Sequence, residues 1–297
     1  MNHASQWRIE FAREIAGWYA GQPNVRMIAL GGSAARGLAD AYSDMDMAVY
    51  WDGLDRAWLA EPPLWPAGGE RFTYRLLFDD QVAVEQYQLG EAKLDVAHFS
   101  LAWWEQAVAD VLERADMMPD KQEVLDGFLS AIPFYGEPAY QQWRTRIAAY
   151  PDELARRMIR QHLAFPPGWV LEQHGLARGD LLSFYAIVCE MIQNLLGVLA
   201  GLNRQYLSME KPKRSADILR RMPIAPRDAS ARIQAILTID RGQAVAALSD
   251  LIAEVLDLVD LHMPEIDTSR TRAIQSMPAR PCTAKPPFPL ATSDYSR

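Results

Sequence analysis

The hydrophobic pattern of this chain changes its period near residue 100, and that change sets the fold class. Between residues 25 and 100, apolar residues occur in short strand-like runs bounded by turn residues: 25–30, 45–51, 71–78, 81–89 and 93–100. Beyond residue 100, they recur every three or four residues as far as residue 262. Short runs of this kind are typical of strands, and recurrence near 3.6 residues is typical of helices. The sequence therefore predicts an α+β protein, in which a mixed, twisted sheet flanked by helices precedes an all-α helical bundle.

The predicted division into domains follows the same pattern. An amphipathic helix over residues 5–20 precedes the strands, and further helical patterns follow them at 101–115, 120–130, 138–149, 151–164, 180–200, 214–222, 228–238 and 242–262. We place a boundary near residue 115, with a sheet domain over 1–115 and a helical domain over 116–266. Residues 267–297 are rich in proline, small and polar residues without periodicity, which predicts a poorly ordered tail.

Composition and charge disfavour several classes of protein. The 38 acidic residues exceed the 30 basic ones and give a net charge of −8. Such a chain has no general attraction for polyanions, so we do not expect a nucleic acid partner, whereas a cationic small molecule would suit it. Two cysteines cannot form a disulfide framework, and the N-terminal segment carries charges throughout, unlike a signal peptide or a membrane span. We expect a cytoplasmic protein with no membrane partner.

A glycine pair and a serine follow the first strand-like run. Gly31 and Gly32 have no side chains that would keep a phosphate from the backbone, and Ser33 offers a hydroxyl at the start of a short helix. The free N–H groups and the dipole at a helix start favour anions. This segment therefore predicts a phosphate-binding site formed by Gly31, Gly32 and Ser33.

Acidic residues at the next strands predict a metal centre. Asp44 and Asp46 are two residues apart at the start of a strand, so their carboxylates lie on one face. A third carboxylate, Asp95, lies on a strand that could be adjacent, as a metal ligand, a general base or both; Glu85 is the reserve candidate if the register differs. Carboxylates together with substrate phosphates are the ligands that Mg²⁺ prefers, and two such ions can serve in-line displacement at phosphorus. The pattern predicts phosphoryl-type transfer with two Mg²⁺ ions.

A basic segment, residues 201–214, lies between two predicted helices. We interpret Lys211, Lys213 and Arg214 as candidates for binding the β- and γ-phosphates of a nucleotide, where they would compensate the charge of a leaving pyrophosphate. Tyr206 is a candidate for packing on the base. The alternative is a solvated loop between helices, because charge runs usually face water.

The order of these motifs resembles that of the DNA polymerase β-like nucleotidyltransferase superfamily. Its signature is a Gly-Gly/Ser or Gly-Ser motif, then Asp-x-Asp or Asp-x-Glu, then a third acid on a later strand. The resemblance covers roughly residues 25–100. It implies that Asp44, Asp46 and Asp95 bind metal and that Ser33 binds phosphate.

The succession of a sheet domain and a helical domain is similar to that of antibiotic adenylyltransferases, which modify aminoglycosides or lincosamides. The resemblance implies transfer of a nucleoside monophosphate, usually AMP from ATP, to a hydroxyl of a small molecule. It leaves the acceptor open, and antibiotic resistance is only one role consistent with it. Two alternatives remain open: an enzyme that modifies a protein or an RNA, and a non-catalytic nucleotide-binding regulatory module. The presence of all three acids speaks against the regulatory module.

Overall fold

The computed structural model describes residues 1–60, 69–207 and 215–278. Its strands, in chain order, are β1 (Val25–Leu30), β2 (Met45–Trp51), β3 (Glu70–Leu77), β4 (Val82–Leu89), β5 (Ala92–Ser100) and β6 (Ile132–Tyr135). Its helices are α1 (His3–Ala20), α2 (Gly32–Ala35), α3 (Arg56–Ala60), α4 (Leu101–Arg114), α5 (Pro119–Ser130), α6 (Glu137–Ala148), α7 (Asp152–His162), α8 (Gly168–Val170) with a π-helical continuation (Leu171–Ala177), α9 (Leu181–Leu202), α10 (Ser215–Arg220), α11 (Ala229–Ile236), α12 (Arg241–His262) and α13 (Ser269–Gln275).

The strands form one mixed sheet in the order β3-β4-β5-β2-β1-β6. Neighbouring strands are antiparallel, except β2 and β5, which run parallel. The parallel register aligns Asp46 with Asp95, and the register of β4 with β5 aligns Gln86 with Asp95. Since register partners point to the same face of a sheet, these three polar side chains form one row across three strands.

The predicted fold class is confirmed. Every strand and helix expected from the sequence is present, and the ends agree to within two residues except at α2, which was expected to reach Asp40 and ends at Ala35. Strand β6 was not predicted, because it is short and contains Pro133, which cannot donate a ladder hydrogen bond. It lies at an edge of the sheet, paired with β1, where a proline is tolerated.

Helix α1 covers one face of the sheet. Met45, Met47 and Val49 of β2 are buried in the same apolar cluster as Ile9 and Ile15 of α1. Side chains alternate between the two faces of a strand, so Asp46 lies on the face that points away from this cluster. The acid-bearing face is therefore not the one that α1 fills.

Two compact units divide the chain at boundaries that differ from the predicted one. Unit 1 comprises Met1–His162 and Leu196–Ile224, and unit 2 comprises Leu163–Leu195 and the chain from Ala225 onward. The change from strands to helices near residue 115 is not a boundary between units. After α4 and α5 the chain returns to add β6 to the sheet, which keeps these helices in unit 1.

The C-terminal segment is partly ordered, which corrects the predicted extent of the tail. Residues 269–275 form α13, and the Thr271 hydroxyl donates to the Leu163 carbonyl over 3.1 Å within unit 2. Residues 279–297 lie outside the described residues, so the prediction for them remains a prediction.

Helix α9 is long and apolar enough to cross a membrane by length and composition alone. Its 18-residue window has a mean hydropathy of 1.6, and 44% of that window is buried. The core helix of a water-soluble protein meets the same two criteria, so they do not decide between the two environments.

Candidate functional site

Three carboxylates converge on the face of the sheet that points away from α1. Asp44 immediately precedes β2, Asp46 lies within it, and Asp95 lies on the parallel neighbour β5. Each offers one oxygen atom, and these three atoms all lie within 4.8 Å of one another. All three residues are half-buried. The structure thus brings together the three acids that were selected from the sequence.

This arrangement is electrostatically unfavourable by itself. Three carboxylates at such distances repel one another, and their partial burial weakens the screening by water. A divalent cation would reverse the sign of the interaction, and a donor set made only of carboxylate oxygens suits a hard ion such as Mg²⁺. The residues present therefore fit a magnesium centre.

The glycine pair packs directly against Asp46. The Gly31 N–H donates to the Asp46 carbonyl over 2.7 Å. Gly32 has a φ of +65°, and a Cβ atom at this position would overlap the Oδ2 atom of Asp46. Gly32 is required on both counts, since L-residues rarely adopt this backbone conformation and no side chain fits there. A molecule bound at the acids would consequently also face this backbone turn.

Ser33 lies in a shorter helix than expected. Helix α2 has four residues, and its macrodipole is correspondingly small. Ser33 is 8% exposed, and its carbonyl accepts from the Leu38 N–H over 2.9 Å. The anion-attracting helix start predicted from the sequence is therefore weaker than expected, and the open backbone at Gly31 and Gly32 is the stronger feature of this turn.

Gln86 is a site residue that sequence reasoning missed. Its side-chain Nε2 donates to Asp95 Oδ2 over 3.0 Å. The contact follows from the β4–β5 register, which pairs the two residues. Nothing in the local sequence around Gln86 indicates this contact, because it depends on which strands pair and in which register.

Glu85, the reserve candidate for the third acid, lies on the opposite face and belongs to a buried network. Its carboxylate accepts from Arg71 Nη1 over 2.7 Å, and its other oxygen lies 3.0 Å from His98 Nε2. The Trp51 indole can only donate, and it lies 3.1 Å from His98 Nδ1, so the imidazole donates to Glu85 through Nε2. Burial raises the pKa of Glu85, but the hydrogen bonds from His98 and Arg71 outweigh it and hold the pKa below its usual range. Glu85 is a structural carboxylate and does not contribute to the acid cluster.

Only residues 201–207 of the basic segment belong to the part of the chain that the structure describes. Lys211, Lys213 and Arg214 lie outside the described residues, and their predicted contacts with phosphates remain a prediction. Tyr206 is 2% exposed, and its hydroxyl donates to the Ile147 carbonyl over 2.8 Å. The prediction that its ring packs on a base is corrected, because the ring is part of the interior of unit 1.

Arg204, in the same segment, forms an ion pair with Asp152 over 2.7 Å. It also borders a small pocket in unit 1 that contains none of the three acids; the pocket is lined by Asp126, Leu129, Ser130, Arg204, Gln205, Tyr206 and Arg221. This pocket is therefore separate from the candidate metal centre.

Aromatic side chains close the far end of the acid-bearing face. Tyr50 and Phe99, four residues beyond Asp46 and Asp95, stack with ring centroids 5.4 Å apart. Trp104 packs edge-on against Tyr50 at 5.0 Å, which places it in the core and not in a stacking platform for a ligand. Between the acids and these rings lie the half-buried Ala48 and Ala97. The sheet surface beside the carboxylates is thus formed by these small side chains.

Comparisons with known proteins add little to this geometry. A family described as a domain of unknown function (DUF4037) matches residues 120–211, less than half of the chain. No curated protein matches. Among solved structures, a nucleotidyltransferase-like protein from Exiguobacterium sibiricum is similar, with 13% identity and a TM-score of 0.36, over 87% of this chain and 80% of that chain.

Proposed function

We propose that this protein is a divalent-metal-dependent nucleotidyltransferase that transfers a nucleoside monophosphate from a nucleoside triphosphate to a hydroxyl group of a small molecule. The observation that carries the proposal is the convergence of the Asp44, Asp46 and Asp95 oxygens within 4.8 Å, beside a glycine turn. Such a cluster of like charges favours binding of a cation, and the adjacent open backbone favours a phosphate.

Asp44, Asp46 and Asp95 would hold Mg²⁺, as one or two ions. The metal supplies charge compensation at the phosphate oxygens and lowers the pKa of a bound hydroxyl. The three carboxylates would fix the position of the metal, because Asp46 and Asp95 project from paired strands. The absence of a side chain at Gly32 leaves room for the carboxylate of Asp46.

In the proposed reaction, the acceptor hydroxyl oxygen forms a bond to the α-phosphorus. The bond from this phosphorus to the oxygen that bridges to the β-phosphate breaks, and pyrophosphate leaves with the electron pair. The proton of the acceptor passes to Asp95 or to solvent. The backbone at Gly31 and Gly32 provides the close approach that a phosphate chain needs.

ATP is the nucleotide implied by the resemblance to antibiotic adenylyltransferases, and an aminoglycoside-like or lincosamide-like molecule is the implied acceptor. The net charge of −8 supports a cationic small molecule over a polynucleotide as the acceptor. A protein acceptor is the alternative that the same chemistry would serve.

The test begins with calorimetric titration of ATP and Mg²⁺ into the wild type, into a D44N/D46N double variant and into D52N. Asp52 follows the same strand but is exposed and paired with Arg26 at 2.7 Å, which makes it a matched control. We expect Mg²⁺-dependent ATP binding in the wild type and in D52N, and its loss in the double variant.

ATP labelled at the α- or the γ-phosphate is then incubated with the wild type and a panel of aminoglycosides, lincosamides, metabolites, RNA and protein acceptors. Transfer of the α-label but not of the γ-label to one acceptor would establish nucleotidyl transfer and identify the acceptor class. ATP binding that is indifferent to Mg²⁺ and equal in all three proteins would refute the metal centre and favour a regulatory nucleotide-binding module.

A further inference from the structure

The loop between the glycine turn and the acids is held by one face of α1. Asn2 Nδ2 donates to the Ala39 carbonyl over 2.9 Å, and the Ala39 N–H donates to Ser5 Oγ over 3.0 Å. Arg8 Nε donates to the Ser43 carbonyl over 3.0 Å. Asn2 is the N-cap of α1, and Asn2, Ser5 and Arg8 follow one another at intervals of three, so they lie on one side of the helix. The N-terminal part of α1 and its N-cap therefore hold the loop by hydrogen bonds at Ala39 and at Ser43.

Arg8 is buried in an unusual way. Its side chain is held from three sides, because Nη1 donates to the Ala4 carbonyl over 2.8 Å and the guanidinium lies 4.2 Å from the centre of the Trp7 ring. Arg8 is only 5% exposed, and no carboxylate in the described part of the chain pairs with it within 4.0 Å. Burial of an arginine among carbonyl groups alone costs free energy, since buried charges are usually paired. The stability of the fold therefore does not explain why an arginine is buried at this position.

The position of the Ser43 carbonyl, which accepts the hydrogen bond from Arg8, indicates a role for this arginine. The Ser43 carbonyl belongs to the peptide group that leads into Asp44, so its hydrogen bond with Arg8 fixes the plane from which the Asp44 Cα atom projects. Asp44 precedes β2 and lacks the ladder hydrogen bonds that hold the backbone of Asp46 and Asp95. Of the three acids it is the one whose place depends on a loop.

We propose that Arg8 is a positioning residue that holds the Asp44 carboxylate in the metal-binding arrangement. This proposal rests on the proposed function, because it gives Asp44 the role of a metal ligand. A displacement of about 1 Å at such a ligand is enough to impair a preorganised site. Arg8 acts through the Ser43 carbonyl and needs no contact with the metal or the nucleotide.

The test compares Mn²⁺ binding to the wild type, R8M, R8K and R13M, measured by the electron paramagnetic resonance signal of the free ion. Arg13 lies on the same helix but is exposed and packs on Phe134, so R13M is the matched control. We expect R8M to weaken Mn²⁺ binding about tenfold or more, as is typical when a group that orients a ligand is removed. R8K should weaken it less, since lysine can donate to one carbonyl but lacks the planar fork for two. R13M should bind as the wild type does.

Hydrogen exchange of the loop amides gives a readout that needs no metal. The amides of Asp40, Tyr42 and Ser43 donate within the loop, and we expect them to exchange faster in R8M than in R13M. If R8M does not fold, as judged by circular dichroism, R8K is used for both measurements with the same direction of change expected.

The outcomes separate the two proposals. A wild type that binds no Mn²⁺ refutes the metal centre of the proposed function, whatever the exchange data show. A wild type that binds Mn²⁺ and a folded R8M that binds it equally well or more tightly refute the role of Arg8 alone. Tighter binding would mean that the arginine charge opposes the metal and that its geometry is unimportant.

Discussion

The two faces of the sheet both carry carboxylates, but in opposite surroundings. On one face, Asp46 and Asp95 are half-buried beside Asp44, and the three residues offer carboxylate oxygens that lie within 4.8 Å of one another. On the other face, Glu85 is fully buried and is bound by Arg71 and His98. Consecutive residues of β4 serve the two faces: Glu85 belongs to the buried network, and Gln86 donates a hydrogen bond to Asp95 of the acid cluster.

This difference identifies which carboxylates are available for chemistry. The charge of Glu85 is compensated by groups of the protein itself, so its removal would leave these groups unpaired in the interior, and its oxygens are not free to bind a ligand. The charges of the three aspartates repel one another, and a divalent cation from solution would offset this repulsion. The contrast predicts that mutations on the two faces affect different properties: activity on one and stability on the other.

The largest effect is expected on the acid-bearing face. D95N should lower the rate of nucleotidyl transfer by a factor on the order of 10³, as is usual for loss of a main catalytic group, because one ligand of the metal loses its charge. Stability without metal should be unchanged or slightly higher, because repulsion among the acids falls. Transfer rates and urea unfolding in the absence of divalent ions measure the two properties. A variant with normal activity would exclude Asp95 from the site.

On the opposite face the pattern should be reversed. E85A leaves the buried His98 and the half-buried Arg71 without their carboxylate partner, which we expect to cost about 3–5 kcal/mol of unfolding free energy. Because Glu85 does not line the acid cluster, protein that remains folded should bind Mg²⁺ with nearly unchanged affinity. Urea unfolding and calorimetry on the same samples check both statements. Loss of metal binding without loss of stability would contradict the division between the two faces.

The sequence was sufficient to predict that Asp44 and Asp46 lie together, but not which third acid lies beside them. The two-residue spacing of Asp44 and Asp46 gives a shared face directly. The choice between Asp95 and Glu85 depended on strand register, since a shift of one residue exchanges the two faces of a strand. The parallel pairing of β2 with β5 decides that choice, and no local pattern in the sequence encodes it.

Residues that act through tertiary contacts were beyond the reach of sequence patterns. No local pattern around Arg8 indicates a role for it, because its contact with Ser43 joins residues 35 apart in the chain. Tyr206 was assigned to a nucleotide site because it lies in a basic segment, but its hydroxyl reaches Ile147, 59 residues away, and is buried. Spacing along a helix or strand predicts which side chains share a face. Whether a side chain is buried depends on the distant segments that pack against it in the fold.

A smaller effect is expected where the glycine turn meets the acid-bearing face. In G32A, the added Cβ overlaps Asp46 Oδ2 and the backbone has a positive φ, so the Asp46 carboxylate must move. We expect Mg²⁺ affinity to fall by roughly 10- to 100-fold, with a loss of stability of about 1–3 kcal/mol from backbone strain. Gly17, an exposed helical residue with nothing within 4 Å of its Cβ position, is the matched control. G17A should leave metal binding unchanged and should raise stability by about 0.5–1 kcal/mol.

The smallest effect should arise at Gln86, which bears on the acid-bearing face through Asp95 alone. Q86L removes the 3.0 Å hydrogen bond to Asp95 Oδ2 but keeps the charge of the three acids, so only the orientation of one carboxylate is affected. We expect about a tenfold loss of Mg²⁺ affinity, at the low end of the range for groups that orient metal ligands. Q88L is the control, because Gln88 lies two residues further along β4 and donates to the Gly90 carbonyl instead. Equal Mg²⁺ affinity in Q86L and Q88L would mean that β5 alone orients Asp95, and that the row of side chains across the three strands is a consequence of register without a role in binding.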